Sequence, residues 1–145
     1  MKTILIVDDD PVSVQIIDMI VRRNGYEAAS AASAAEALAW LDRCTGVEAI
    51  IADYNLGGTT GLELYLMLGI HLRYHSLPVI LCTSAADPGT VSQALELGVR
   101  YFIVKPVNPQ ALMDKVEAAI RERPMNWARG VNHCPACGAP MARRP

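Results

Sequence analysis

Five short apolar runs alternate along this chain with longer segments in which apolar residues recur at helical spacing. The runs cover residues 3–7, 28–31, 49–52, 78–82 and 101–104, and the second is weak and rich in alanine. The first run, Ile4-Leu5-Ile6-Val7, is apolar without interruption, as is typical of a strand covered by helices on both faces. The alternation predicts an α/β fold, a doubly wound five-stranded parallel sheet with helices on both faces.

The ends of the predicted helices are marked by capping residues and glycines. Three helix starts pair an N-cap residue with proline: Asp10-Pro11, Asp87-Pro88 and Asn108-Pro109. Two more have the spacing of a capping box, in which each side chain accepts from the other residue's backbone N–H: Ser33 with Glu36, and Thr60 with Glu63. Gly25 and Gly98 are expected to end helices. The predicted helices cover residues 11–24, 34–43, 61–74, 88–97 and 109–122.

The length and the charge distribution predict one domain with a short appendage. A chain of 145 residues suffices for one core, and the apolar periodicity ends after Pro124. Residues 121–145 contain five arginines and one glutamate, whereas residues 1–120 contain eight basic and 14 acidic residues. We therefore predict a domain at residues 1–122 and a flexible basic tail at residues 123–145.

The sequence disfavours both membrane insertion and secretion. Every apolar run ends well before the roughly 18 residues that a membrane span requires. The apolar stretch after Met1 is too short for a signal peptide and has no small-residue cleavage site. The four cysteines do not resemble a disulfide framework, which favours a reducing compartment. We expect a cytoplasmic protein that does not associate with membranes.

Polar side chains follow four of the predicted strands at the point where each strand ends. They are Asp8-Asp9-Asp10, Asp53, Thr83-Ser84 and Lys105. Because the carboxyl ends of parallel strands meet at one edge of the sheet, we expect these groups to converge there. Crowded carboxylates repel one another and favour a hard cation such as Mg²⁺. With an ammonium group opposite, the set is suited to phosphoryl transfer, with Asp53 as the nucleophile.

Four segments that contain these residues resemble the receiver domains of two-component response regulators (CheY-like domains). They are residues 4–11 with ILIVDDDP, residues 50–56 with IIADYNL followed by Gly61, residues 77–85 with LPVILCTSA, and residues 102–106 with FIVKP. The segments follow the family's order and spacing over about residues 1–122, which is more specific than any single motif. The resemblance implies a flavodoxin-like fold with strand order 2-1-3-4-5.

The resemblance also implies a metal site beside a phosphoacceptor. It makes Asp53 the phosphoacceptor, with Asp9 and Asp53 as direct Mg²⁺ ligands. Asp8 would be a ligand through water, and Asn55 would contribute its backbone carbonyl.

By the same resemblance, Thr83 and Lys105 would hold the phosphoryl group. Phe102 matches an aromatic switch position whose rotamer follows Thr83, and the Lys105-Pro106 bond is cis in the family. The chain departs from the family at Gly57, where proline is common, and at Phe102, where tyrosine is frequent. Neither departure affects the charged residues.

These inferences predict a phosphorylation switch that is not an enzyme in its own right, apart from slow loss of its own phosphate. A histidine kinase or a phosphotransfer protein would phosphorylate Asp53, and the altered surface would bind a downstream protein. Direct binding to nucleic acid is not expected, because no helix-turn-helix pattern follows residue 122. The face of the fourth helix, fifth strand and fifth helix is a candidate homodimer interface, although the sequence does not determine the oligomeric state.

Two other classes of function stay open at this point. A constitutive interaction module would keep the fold and bind its partner without phosphate. A metal-dependent phosphatase is disfavoured, because a general acid is expected two residues after the nucleophile, where this chain has Asn55.

The tail contains a candidate zinc knuckle, Cys134-Pro135-Ala136-Cys137-Gly138. Zinc requires four ligands, and only His133 offers a third nearby, so a Zn²⁺ site would need a second chain or a distant residue. Reduced, unstructured thiols are the alternative. His71 and His75 have helical metal-ligand spacing but no accompanying acid, so we expect them on a solvated face.

Overall fold

A computed structural model describes residues 2–43, 46–56, 59–70, 76–83 and 88–122. Five strands and five helices alternate along these residues. The strands are β1 (Thr3–Val7), β2 (Glu27–Ala31), β3 (Val47–Asp53), β4 (Val79–Thr83) and β5 (Tyr101–Val104). The helices are α1 (Pro11–Arg23), α2 (Ala34–Arg43), α3 (Gly61–Gly69), α4 (Pro88–Glu96) and α5 (Pro109–Arg121). Among the described residues, no helix is long and apolar enough to span a membrane.

The strands form one parallel sheet in the order β2-β1-β3-β4-β5. This arrangement confirms the predicted fold class and strand order. The register places the carboxyl ends of the strands at one edge, with the pairs Val7 and Ala52, Asp53 and Cys82, and Thr83 and Val104. Side chains that follow these ends therefore start from neighbouring positions.

Helices cover both faces of the sheet. One apolar cluster combines buried residues of α1 and α5 with Ile4 and Ile6 of β1. The other combines buried residues of α2, α3 and α4 with Leu5 and Val7. Because side chains alternate between the two faces of a strand, the uninterrupted apolar run of β1 supplies both clusters. These four side chains are fully buried, and each contributes about 1.5–3 kcal/mol to stability.

β3 begins before the predicted start at residue 49. Val47 pairs with Thr3 of β1, and the register then shifts so that Ile4 pairs with Ala49. The shift accommodates Glu48, which is buried within the strand. Because this charged residue interrupts the apolar run in the sequence, the prediction missed the first two residues of the strand.

Two of the three predicted caps before proline, and both predicted glycines, are found at helix ends, whereas Asp87 lies outside the described residues. Asp10 and Asn108 cap α1 and α5 by accepting backbone N–H donors. Gly25 and Gly98 have φ angles of 89° and 100°, in the left-handed region that favours glycine. α3 ends at Gly69, before the predicted end at residue 74. Residues 71–75 lie outside the described residues, and they include His71 and His75, the two histidines with metal-ligand spacing.

The capping boxes form only in part. Thr60 accepts from the backbone N–H of Glu63 as predicted. In return, the Glu63 carboxylate accepts from the hydroxyl of Thr59 at 2.7 Å. At α2, the Glu36 carboxylate likewise accepts from the backbone N–H of Ala32. The predicted return bond from the cap residue's own N–H is therefore wrong at both helices, because each glutamate instead contacts the residue that precedes the cap.

Candidate functional site

Four strand ends bring the predicted polar residues to one edge of the sheet. Asp8 and Asp9 follow β1, Asp53 ends β3, Thr83 ends β4 and Lys105 follows β5. These ends are neighbours, because β3 lies between β1 and β4, and β4 pairs with β5. The positions of the residues therefore follow from the order of the strands.

Three carboxylates form an acidic cluster at this edge. One carboxylate oxygen from each of Asp8, Asp9 and Asp53 lies within 4.8 Å of the others. Asp8 is buried, Asp53 is half-buried and Asp9 is exposed. The backbone N–H of Asp10 donates to Asp8 Oδ1 at 2.9 Å, which orients the buried carboxylate. Hard oxygen donors at this spacing, with one side open to water, fit a divalent cation such as Mg²⁺.

The ammonium group of Lys105 faces the acidic cluster. Its Nζ lies 3.3 Å from Asp53 Oδ1 and 3.2 Å from Asp8 Oδ2. The Lys105 side chain is 18% exposed, so these ion pairs are less screened by solvent than surface pairs are. The backbone N–H of Lys105 donates to the carbonyl of Thr83 at 2.8 Å, which continues the β4–β5 pairing into the site.

The pKa values of Asp53 and Lys105 are both raised. Burial and then the negative charge of Asp8 raise the pKa of Asp53, and the nearby Lys105 offsets them only in part. For Lys105, burial favours the neutral amine, but the hydrogen bond to Asp8 and the charges of Asp53 and Asp8 together outweigh burial and raise the pKa. Ionisation of Asp53 therefore lowers the stability of the folded chain, and a bound cation would reduce this loss.

We expect Asp53→Asn to make the cation-free protein more stable at neutral pH. The pKa of Asp53 is higher in the folded chain than its ordinary value of 3.8, so the folded state binds this proton more tightly. Stability attributable to Asp53 therefore falls as pH rises from about 3.8 through the raised pKa. Urea unfolding in EDTA should show a stability difference between variant and wild type that is absent in acid and grows towards neutral pH. A variant less stable than wild type at pH 7 would contradict this electrostatic account.

The two residues after Asp53 are joined by backbone contacts to the start of α3. The backbone N–H of Gly61 donates to the carbonyl of Tyr54 at 2.7 Å, and Asn55 pairs with Thr60 in an isolated antiparallel bridge. A Cβ atom at Gly61 would lie 2.4 Å from the carbonyl oxygen of Asp53, so only glycine fits there. The bridge holds the backbone of Asn55 beside Thr60. The role of Asn55 as a backbone metal ligand stays a prediction.

The two predicted switch residues lie on neighbouring strands. Thr83 is buried at the end of β4, and Phe102 pairs with Leu81 on β5. The Phe102 ring is half-buried and packs against the cluster shared by α2, α3 and α4. The Lys105-Pro106 peptide bond is cis, as the family resemblance implied. The coupling of Phe102 to Thr83 stays a prediction.

Ser13 contacts the site and was missed by the sequence analysis. Its Oγ lies 3.2 Å from Lys105 Nζ. The available signal was its position three residues after the N-cap Asp10, which places both on the same side of the first turn of α1.

Several predicted residues lie outside the described part of the chain. They are Gly57, Ser84, Asp87, and the proposed zinc ligands His133, Cys134 and Cys137. The Zn²⁺ site and the domain boundary at residue 122 therefore stay predictions.

Comparison with known proteins identifies relatives of this fold and site. The model of the response regulator receiver domain family matches residues 4–117. The chemotaxis protein CheY1 of Helicobacter pylori is 33% identical over 118 residues, which are 81% of this chain and 95% of that protein. A response regulator structure from Chloroflexus aurantiacus has a TM-score of 0.77 and 31% identity, covering 83% of this chain and 98% of that one. The structure of the chemotaxis response regulator CheY4 of Vibrio cholerae has a TM-score of 0.73 and 28% identity, covering 82% of this chain and 98% of that one.

Proposed function

Because this chain belongs to the response regulator receiver domain family, we propose that it is an aspartyl-phosphate switch with Asp53 as the phosphoacceptor. The observation that carries the proposal is that Asp53 belongs to the acidic cluster and that its Oδ1 lies 3.3 Å from Lys105 Nζ. The phosphoryl donor would be the phosphohistidine of a histidine kinase or of a phosphotransfer protein. The exchange would take place in the cytoplasm.

The reaction transfers one phosphoryl group between the two proteins. A carboxylate oxygen of Asp53 forms a bond to phosphorus, and the phosphorus–nitrogen bond of the donor breaks, returning its electron pair to the imidazole. Asp8, Asp9 and Asp53 would hold Mg²⁺, with the carbonyl of Asn55 as a further ligand, and the ion would neutralise charge on the phosphoryl oxygens. Lys105 presents a second positive charge to the same oxygens.

The output would be a change in the affinity of one surface for a protein partner. Thr83 would bind the phosphoryl group through its hydroxyl, and Phe102 would turn inward as the end of β4 moves. The surface of α4, β5 and α5 includes the exposed apolar residues Leu95 and Val104, which suit contact with a downstream protein or a second copy of the chain. A bias of a few kcal/mol between two states suffices for a large change in occupancy.

We expect an acyl phosphate donor to add one phosphoryl group to the chain when Mg²⁺ is present. EDTA should prevent the addition, because the acidic cluster would then repel the incoming phosphate. Intact mass spectrometry at neutral pH measures the occupancy, and Ca²⁺-free buffer keeps the comparison to one cation. Equal labelling with and without EDTA would contradict a role for the acidic cluster in binding the cation.

A further inference from the structure

We propose that Ser13 is a positioning residue for Lys105, and that its hydroxyl oxygen holds the ammonium group towards Asp53 during phosphoryl transfer. The inference rests on the proposed function, because it assigns a task to a residue of the same site. Ser13 lies in the first turn of α1, whereas Lys105 follows β5. Their contact joins two parts of the fold that are 92 residues apart in the chain.

The ammonium group of Lys105 donates hydrogen bonds to Asp8 and Ser13 and forms an ion pair with Asp53. Asp8 Oδ2 and Ser13 Oγ each lie 3.2 Å from Nζ, and Asp53 Oδ1 lies 3.3 Å away. The Lys105 side chain is mostly shielded from solvent, so these protein oxygens are its main partners. Ser13 is the uncharged member of the three.

The two charged acceptors change during the proposed reaction. Asp8 and Asp53 both belong to the acidic cluster that would bind the cation, and Asp53 becomes an acyl phosphate. The hydroxyl of Ser13 takes part in neither event, so its hydrogen bond to Lys105 can persist throughout. A lysine side chain loses up to about 2 kcal/mol of rotamer entropy when it is ordered, and an anchor that is present beforehand reduces this cost in the transition state.

The orientation of the Ser13 hydroxyl is itself fixed. It donates to Asp10 Oδ2 at 3.2 Å, and the other carboxylate oxygen of Asp10 accepts from the backbone N–H of Val12 at 3.1 Å. Because the hydroxyl proton is directed to Asp10, the lone pairs of Ser13 Oγ are available to Lys105. The N-cap of α1 is thereby linked to the ammonium group at the end of β5.

The test compares near-isosteric side chains with and without a hydroxyl. With saturating Mg²⁺ and an acyl phosphate donor, Ser13→Ala and Ser13→Val should slow labelling about three- to tenfold, the effect of one net hydrogen bond. Ser13→Thr, which has the shape of the valine variant and retains the hydroxyl, should be labelled at close to the wild-type rate. Wild-type rates in the alanine and valine variants, or an equal loss in the threonine variant, would overturn the proposal.

A double-mutant cycle separates positioning from a general effect on α1. In a Lys105→Met background, Ser13→Ala should slow labelling no further, since the ammonium group is already absent. Full additivity would overturn the proposal. Ser33→Ala removes a cap hydroxyl at α2, which accepts from the backbone N–H of Glu36, and should leave the rate unchanged. Slowing equal to that of Ser13→Ala would also count against the proposal. Labelling of Asp53→Asn in the same assay would instead refute the proposed function.

Discussion

Replacement of Asp53 by asparagine is expected to abolish phosphoryl transfer from an acyl phosphate to this chain. The amide has nearly the shape of the carboxylate but lacks a nucleophilic oxygen, so the fold and Lys105 stay in place while the acceptor is lost. Asp53 is also the residue that β3 contributes to the acidic cluster, and it forms an ion pair with the ammonium group of Lys105. Radiolabel or intact mass should show no detectable product over a time in which wild type is fully modified.

The matched control is Asp18→Asn. Asp18 pairs with Arg22 at 2.7 Å on the same helix, and is not a member of the acidic cluster. The Asp18→Asn variant should be labelled at the wild-type rate, since the substitution removes a carboxylate that is not part of the acidic cluster. Persistent labelling of the Asp53 variant would move the phosphoacceptor to another residue.

Replacement of Gly61 by alanine is expected to lower the free energy of unfolding by about 3 kcal/mol, the upper end of the usual cost of overpacking. The new Cβ would lie 2.4 Å from the carbonyl oxygen of Asp53 and 2.9 Å from Leu81 Cδ2. The first contact is with backbone, which cannot rotate away. The start of α3 would have to move away from β3, which would disturb its backbone contacts with Tyr54 and Asn55.

Gly69→Ala in the same helix is the control for this substitution. Among the described residues, no heavy atom beyond the chain neighbours and the helix's own backbone lies within 4 Å of a Cβ at Gly69, so alanine should be neutral or stabilise the chain by up to about 1 kcal/mol. Urea unfolding of both variants measures the difference. A similar small effect at the two positions would show that α3 packs further from β3 than we describe.

Most of the fold could be predicted from the sequence because local and global signals agree. β1 and β5 begin and end where their apolar runs do, and Gly25 and Gly98 have the left-handed conformation expected after a helix. The start of β3 could not be predicted, because Glu48 is a charged residue buried in a strand. Its accommodation depends on a register shift against β1 that no local pattern indicates.

The site could be predicted in its membership but not in its contacts. Asp8, Asp53 and Lys105 follow from a general property of parallel sheets, whose carboxyl strand ends share an edge. The contact of Ser13 with Lys105 depends on the distance between the first turn of α1 and the residue after β5, which only the tertiary structure sets. A serine in the first turn of a helix is too common to indicate such a contact by itself.

The location of the phosphoryl group tests the central claim most directly. Sodium borohydride reduces an acyl phosphate on aspartate to homoserine, which peptide mass spectrometry locates in the labelled chain. We expect homoserine at position 53 in protein treated with acyl phosphate and Mg²⁺, and none in the untreated protein. Homoserine at Asp8 or Asp9, or a label on histidine that borohydride leaves intact, would contradict the assignment of Asp53 as the phosphoacceptor.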